Sequence, residues 1–355
     1  MVRPAATAAG PTLAVIAREA GVSVPTASRV ANGREDVSPE TRRRVTEVLD
    51  RLGYVRRPRI TAGQAPALVD LVMHQLDSPW SGAVLHGAEE AAHEAGVSVV
   101  VSAALTRTRS GRPERGWLDR LHARGSAGML FNLAELSTAQ YNWLDQHGIP
   151  FVLIDPVLEP PPGVTSVGAT NWQGGVSATE HLIALGHRRI AVIGGFRRKR
   201  CGTARMAGYR SAMAAAGLRV PPEYVGYGGF CEEGARREMD RLLALPEPPT
   251  AVFTCSDPMG LGACRALAAR GLRVPHEMSV VSFDDLPQAR WASPGLTTVR
   301  QPLAEMAGTA LRLLLLLRMM ASDRPEGVRT ELSTRLVLRD STAPPRTRAA
   351  TGAPA

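Results

Sequence analysis

The run from residue 12 to residue 54 constrains the fold more tightly than any other part of the chain. Its apolar residues recur at helical spacing in three short blocks, and Gly21 allows a tight turn between the first two. Ser23 is placed to cap the second block as a helix, and Ser38 followed by Pro39 is a typical start for the third. The pattern therefore predicts three short helices, the first two joined by a tight turn.

Two short helices joined by a glycine-containing turn, with a third as support, are typical of a helix-turn-helix DNA-binding unit. The second helix would present hydroxyl groups, one guanidinium and small apolar groups outward, which suits a DNA groove and its phosphates. A three-helix cap with a solvated outer face is the alternative interpretation. The outward-facing set comprises Ser23, Val24, Pro25, Thr26, Ser28 and Arg29.

The motifs AGVSVPTASRVANG, VSPETRRRV and LGY in this run resemble the DNA-binding headpiece of the lactose/galactose repressor (LacI/GalR) family almost position for position. The resemblance implies a transcription regulator, with repression as its expected mode, that acts as a homodimer on a palindromic operator in double-stranded DNA. Thr12, Asn32 and Thr41 join the outward-facing set as expected DNA contacts. Arg29 is the candidate for a guanine contact, whereas Val24 and Pro25 could meet only thymine methyl groups.

Charge supports a polyanionic partner, since the 355-residue chain has a net charge of +9 and a pI of about 10.2. Residues 1–63 hold eleven arginines against six acidic residues. The four cysteines lack metal-ligand spacing, and the longest apolar run, Leu313 to Leu317, is too short to span a membrane. Because residues 1–11 read as a disordered lead without a signal-peptide core, a soluble cytoplasmic protein is expected. Neither a metal nor a cofactor is predicted.

Residues 55–66 form the predicted linker. In the family this linker usually becomes a hinge helix on DNA, but here Arg56 and Arg57 replace the usual Pro-Asn, and Pro58 and Gly63 disfavour a helix. Arg56 and Arg57 are therefore candidates to hold phosphates or to enter the minor groove as an extended arm. A solvated basic linker fits the residues equally well.

From residue 67 onward, short apolar strands alternate with helices, which indicates parallel sheets covered on both faces. The alternation occurs twice, with residues 155–170 expected as a crossover, so the fold is predicted to be α/β, with a three-helix headpiece and a core of two Rossmann-like subdomains. The family core, which resembles periplasmic sugar-binding proteins, is matched over 67–339, and this range is expected to bind an effector and to dimerise. Residues 340–355 are predicted to be a disordered tail.

Ligands of open parallel sheets bind at the carboxyl ends of the strands. The residues there include carboxylates, an amide, a guanidinium and aromatic rings, which together can grip a polyhydroxylated molecule such as a sugar. The resemblance implies that Arg205 and Asp284 are the most regular effector contacts, and it places Ser256 where an asparagine is usual. The predicted effector contacts are Trp80, Asn132, Asp155, Arg205, Phe230, Asp257 and Asp284.

Each of these residues also has an ordinary structural interpretation. Asp257 or Asp284 could cap the following helix, Asp155 could make a turn before Pro156, and Trp80 could belong to the core. The core alone would also suit a solute-binding protein or an enzyme on a Rossmann-like scaffold. No dinucleotide fingerprint, nucleophile elbow or other catalytic constellation is found, and the headpiece favours a regulator over both.

Overall fold

The computed structural model of the chain describes residues 12–31, 34, 37–52, 67–103, 115–320 and 327–346. The chain divides into two units between residues 65 and 66, and each unit has its own core. The predicted lead at 1–11 and the predicted linker at 55–66 lie outside the described residues.

The first unit contains the three helices that the sequence predicts. Hydroxyl groups cap two of them as expected, because the Thr26 N–H donates to Ser23 Oγ at 3.3 Å and the Thr41 N–H donates to Ser38 Oγ at 3.4 Å. The helices are α1 (Leu13–Glu19), α2 (Val24–Ala31) and α3 (Pro39–Arg51). Their buried faces consist of Ile16, Ala17, Ala20, Ala27, Val30, Val45 and Val48.

The second unit contains two lobes, each built on a six-stranded sheet. In the first lobe all strand pairs are parallel, in the order β11-β5-β4-β3-β1-β2. Its strands are β1 (Leu68–Met73), β2 (Ser98–Ala103), β3 (Gly128–Asn132), β4 (Phe151–Ile154), β5 (Ser166–Ala169) and β11 (Arg329–Leu332). Its helices are α4 (Pro79–Ala95), α5 (Arg115–Ala123), α6 (Thr138–Gln146) and α12 (Leu303–Met319). Apolar clusters fill both faces of this sheet.

The second lobe has the strand order β12-β10-β9-β8-β6-β7, and only β12 runs antiparallel to its neighbour. Its strands are β6 (Ile190–Gly194), β7 (Val225–Tyr227), β8 (Ala251–Thr254), β9 (Ser279–Asp284), β10 (Thr297–Arg300) and β12 (Arg335–Val337). Its helices are α7 (Asn171–Ala184), α8 (Arg200–Ala215), α9 (Glu232–Leu243), α10 (Asp257–Ala268) and the short α11 (Pro287–Trp291). The predicted α/β fold class with two Rossmann-like lobes is confirmed.

The chain passes between the lobes three times, near residues 170, 301 and 333. The first and third crossovers are tied together, because the Thr334 N–H donates to Thr170 Oγ1 at 2.9 Å and Thr334 Oγ1 donates to the Thr170 carbonyl at 3.1 Å. Strand ends from both lobes therefore meet at one junction, which positions the candidate site.

Two strands of the first lobe were not predicted from the sequence. Residues 155–170, expected as a plain crossover, include β5, and β11 was not predicted at all. Both strands are only four residues long, and β11 alternates exposed and half-buried positions at the edge of its sheet. Strands as short as these give too little periodicity in the sequence to be distinguished from a loop.

The prediction that disorder begins at residue 340 is wrong for residues 340–346. Ser341 is fully buried, its hydroxyl donates to the Val280 carbonyl at 2.6 Å, and it accepts the Thr297 N–H at 2.8 Å. The ring of buried His187 contacts the Ala343 carbonyl at 2.9 Å. Polar side chains that sequence composition associates with disorder here satisfy donors and acceptors along β9 and β10.

Truncation tests this correction. A chain that ends at Asp340 should lose at least about 2 kcal/mol of unfolding free energy, because several buried hydrogen-bonding groups lose their partners. A chain that ends at Arg346 is the matched control and should unfold like the full chain in urea. Equal stability of the two truncated chains would show that residues 341–346 contribute nothing.

Candidate functional site

A cavity of about 420 Å³ lies between the two lobes, within the size range of small-molecule sites. It is lined by residues that follow strands of both sheets, as the strand-end rule predicts. Six of the seven predicted effector contacts line it, namely Trp80, Asn132, Asp155, Arg205, Phe230 and Asp284.

The floor of the cavity is a buried ion pair between Arg205 on α8 and Asp284 at the end of β9. Arg205 is 2% exposed, and its Nη1 donates to Asp284 Oδ1 at 3.1 Å and to the Cys255 carbonyl at 2.6 Å. The guanidinium also lies 3.7 Å from the centre of the Phe283 ring. Burial raises the pKa of Asp284, and the Arg205 guanidinium opposes that rise.

Side chains from the first residue of α7 and from the crossover at residue 301 complete the environment of the pair. Arg205 Nε donates to Asn171 Oδ1 at 2.8 Å, and Gln301 Nε2 donates to Asp284 Oδ1 at 2.7 Å. Among the described residues, Arg205 Nη2 and Asp284 Oδ2 have no hydrogen-bond partner, although both side chains line the cavity. One guanidinium nitrogen and one carboxylate oxygen therefore remain for a ligand.

Several strand ends adopt a backbone conformation that is unusual for non-glycine residues. Leu133, Asp155, Phe230 and Asp284 have φ values of 49°, 46°, 60° and 115°, and all four line the cavity. Each such residue costs of the order of 1–3 kcal/mol, and such strain is concentrated at ligand sites. Four such residues in the wall of one cavity are therefore consistent with a ligand site.

Two buried polar atoms in the cavity wall lack partners among the described residues. They are Asn132 Nδ2 in the first lobe and Ser256 Oγ in the second. Buried polar groups are rarely left unpaired, so an acceptor or hydroxyl group of a ligand is expected beside each. Ser256 thus lies in the site although serine replaces the asparagine usual at this position.

Aromatic and cationic groups also line the cavity, and sequence reasoning missed some of them. The rings of Phe196 and Phe230 pack edge to face with centroids 6.1 Å apart, and Lys199 Nζ lies 4.9 Å from the centre of the Phe196 ring. His74 faces the cavity directly after β1, and partial burial, aided by Lys199, lowers its pKa. The strand-end rule, applied after β1 and β6, would have found Phe196, Lys199 and His74.

The prediction that Asp257 contacts the effector is corrected, because this side chain does not line the cavity. Asp257 is fully buried and accepts hydrogen bonds from the Ser282 hydroxyl, from Thr298 Oγ1 at 2.7 Å and from the Leu286 N–H at 2.6 Å. It ties the start of α10 to β9, β10 and the loop behind Asp284. The carboxylate thus has a structural role.

The headpiece presents a polar surface around the start of α2. Ser23, Val24, Pro25 and Arg29 are exposed there, and Val24 retains 46% of its surface. Thr26 and Ser28 are half-buried beside them, Thr12 is exposed before α1, and Thr41 lies in the first turn of α3. The other predicted DNA contacts, Asn32, Arg56 and Arg57, lie outside the described residues.

Within the described ranges, no group of three or more His, Cys, Asp or Glu side chains could hold a metal ion. Burial raises the pKa of Cys201, Cys255 and Cys264 to about 12, so these thiols stay protonated at neutral pH. Cys231, in contrast, is exposed at the start of α9. None of the described helices combines the length and the apolar composition of a membrane span.

Comparison with known proteins gives matches over nearly the whole chain. Residues 12–57 match the family described as bacterial regulatory proteins, lacI family, and residues 179–342 match the periplasmic binding protein-like domain. The HTH-type transcriptional regulator CelR of Thermobifida fusca is 36% identical over 339 residues, which cover 93% of this chain and 98% of that protein.

Two solved structures share the architecture. The complex of transcriptional regulator CelR with cellobiose is 35% identical, with a TM-score of 0.70 and coverage of 93% of this chain and 99% of that one. The lac repressor dimer bound to operator and the anti-inducer ONPF is 26% identical, with a TM-score of 0.72 and coverage of 94% and 100%.

The structural role of Asp257 can be tested by two substitutions. In Asp257→Asn the amide can still accept the Leu286 N–H and donate to the Ser282 and Thr298 hydroxyl oxygens, so the chain should fold. Asp257→Ala leaves three donors unpaired and should lower the free energy of unfolding by about 2–4 kcal/mol. Denaturant unfolding checks both.

The pH dependence of the same variants provides a further check. Burial raises the pKa of Asp257, and the nearby Asp284 adds to the rise. The folded chain then keeps this proton at pH values where the unfolded chain loses it, so the wild-type unfolding free energy should fall as pH rises from about 4 to about 7. Asp257→Asn should reduce that slope, and an unchanged slope would contradict this origin.

Proposed function

The chain belongs to the lacI family of bacterial regulatory proteins, and on this basis we propose that it is a repressor whose operator affinity is set by a sugar bound between its two lobes. It is a DNA-binding transcriptional regulator rather than an enzyme. The repressor mode, the sugar, the homodimer, the cytoplasmic location and the individual contact residues are parts of the proposal.

The observation that carries the sugar proposal is the composition of the cavity. Asp155, Asp284 and Arg205 offer groups for hydroxyl recognition, and Asn132 Nδ2 lacks a partner among the described residues. Aromatic faces of Trp80, Phe196 and Phe230 can stack on the C–H faces of sugar rings. The cellobiose complex of CelR supports a disaccharide as the first candidate.

For DNA binding, the proposed arrangement is a homodimer that reads a palindromic operator, as supported by the lac repressor dimer on its operator. Residues 23–29 would enter the major groove, with Arg29 toward guanine and Val24 and Pro25 toward thymine methyl groups. Thr12, Thr26, Ser28, Asn32 and Thr41 would hold phosphates, and Arg56 and Arg57 would do so from the linker.

Effector control requires that the sugar bind two lobe arrangements with different affinity. Ligand contacts come from both lobes, so binding would favour one degree of closure over another. A coupling of about 1–3 kcal/mol between sugar and operator is the typical size of such an effect. Arg205 and Asp284, with Asn132 and Asp155 opposite them, are the residues proposed to provide it.

Binding of the full chain to DNA from its own promoter region, with and without cellobiose and other disaccharides, tests this function. Operator affinity should fall steeply between about 50 and 200 mM salt, by about 10³-fold if six phosphates are neutralised. Arg29→Ala should cost about 1–3 kcal/mol and relax base choice, whereas Arg51→Ala, which removes the same charge from the end of α3, should cost less. No DNA binding at low salt would overturn the proposal.

A further inference from the structure

The first residue of α8, Arg200, is bound by groups of the opposite lobe. Its N–H donates to the Val157 carbonyl at 2.9 Å, its Nε to Glu159 Oε2 at 2.9 Å and its Nη2 to Glu331 Oε1 at 3.3 Å. Arg329 on the edge strand β11 pairs with the same Glu159 and completes a four-residue network. The network comprises two arginines and two glutamates, so its charges balance.

The network crosses the lobe junction. Arg200 belongs to the second lobe through α8, whereas Glu331 and Arg329 belong to β11, and Glu159 to the segment between β4 and β5, all in the first lobe. The other ion pairs seen around α9, such as Arg236 with Glu233 at 2.9 Å, lie within one lobe. A movement of one lobe against the other must therefore change the Arg200 pairs but not the α9 pairs.

The start of α8 also faces the candidate effector cavity. Lys199 and Cys201, on either side of Arg200, line the cavity, and Arg205 lies little more than one turn further along the helix. Arg200, Glu159 and Glu331 are absent from the cavity wall. The start of α8 thus has one side toward the cavity and another side toward the ionic network.

We propose that Arg200, Glu159 and Glu331 form an inter-lobe latch that sets how readily the effector repositions α8, and that makes effector sensitivity depend on ionic strength. The regulatory part rests on the proposed function, because it requires an effector that changes lobe closure. All three side chains are 37–60% exposed, so salt reaches and screens them. An uncharged sugar would otherwise bind with little dependence on salt.

The latch itself is tested without any effector, by hydrogen–deuterium exchange of the full chain at about 50 and 500 mM NaCl. In the wild type, exchange at the start of α8 and in β11 should rise with salt, because the ion pairs are screened. Arg200→Met keeps the aliphatic stem and should show the fast exchange at both salt concentrations. Arg236→Met, which breaks a similar pair within α9, is the matched control and should resemble the wild type in α8.

The regulatory role is tested by titrating operator complexes with cellobiose, the first candidate effector. Arg200→Met and Glu331→Gln should each shift the half-effective sugar concentration by about twofold to tenfold, the range that one or two exposed ion pairs supply. The double variant should shift no further than Arg200→Met alone, because that substitution already removes the Arg200–Glu331 contact that Glu331→Gln weakens. Salt dependence of the half-effective concentration should be weaker in the variants than in the wild type.

The outcomes separate the latch from the function on which it rests. The latch would be overturned if wild-type hydrogen–deuterium exchange in α8 were the same at both salt concentrations. Additive shifts of the half-effective sugar concentration in the double variant would also overturn it. A latch seen by exchange with unchanged sugar titrations would overturn its regulatory role. If no sugar releases operator DNA from the wild type, the proposed effector is wrong, and the exchange measurement still decides whether the latch exists.

Discussion

The burial of the Arg205 guanidinium beside the Asp284 carboxylate is the constraint on which the core depends. Removing two charges from water costs several kcal/mol per ion unless each finds close partners, and breaking one side leaves the other unpaired. Asn171, the Cys255 carbonyl and Gln301 supply those partners from a helix start, a strand end and a crossover. The pair is therefore held by the segments where the chain crosses between the lobes, and not by one helix alone.

This arrangement explains how a ligand could be sensed at the junction. The second lobe offers Arg205 Nη2 and Asp284 Oδ2, while the first lobe offers Asn132 at the end of β3 and Asp155, whose backbone φ is positive. A molecule that hydrogen-bonds to both sets joins the lobes. A change in lobe closure would then also move Asn171 and the crossovers, because they contact the same ion pair. Because a ligand shifts an equilibrium only through different affinities for two states, contacts from both lobes are what the mechanism requires.

Sequence reasoning worked where the signal is local. Caps at Ser23 and Ser38, helical spacing in the headpiece and apolar strands in the core all depend on neighbours a few residues away. The strand-end rule also brought six of the seven predicted contacts to one cavity, since it follows from parallel-sheet geometry alone. The contact role of each residue remains a prediction.

Failures arose where distant residues decide the outcome. Whether Asp257 faces a ligand or internal donors depends on Ser282 and Thr298, which are 25 and 41 residues away. Ser341 is ordered because Val280 and Thr297 accept and donate at matching positions, which composition cannot reveal. The latch residues Arg200 and Glu331 are 131 positions apart, and only the return of the chain to the first lobe places them together.

The most direct test of the central claim is a crystal structure of the full chain with the sugar that releases operator DNA. We expect a sugar hydroxyl within hydrogen-bond distance of Arg205 Nη2 and Asp284 Oδ2, a second contact to Asn132 Nδ2, and an intact Arg205–Asp284 pair. A sugar bound outside the cavity, or bound there without touching either member of the pair, would contradict the account.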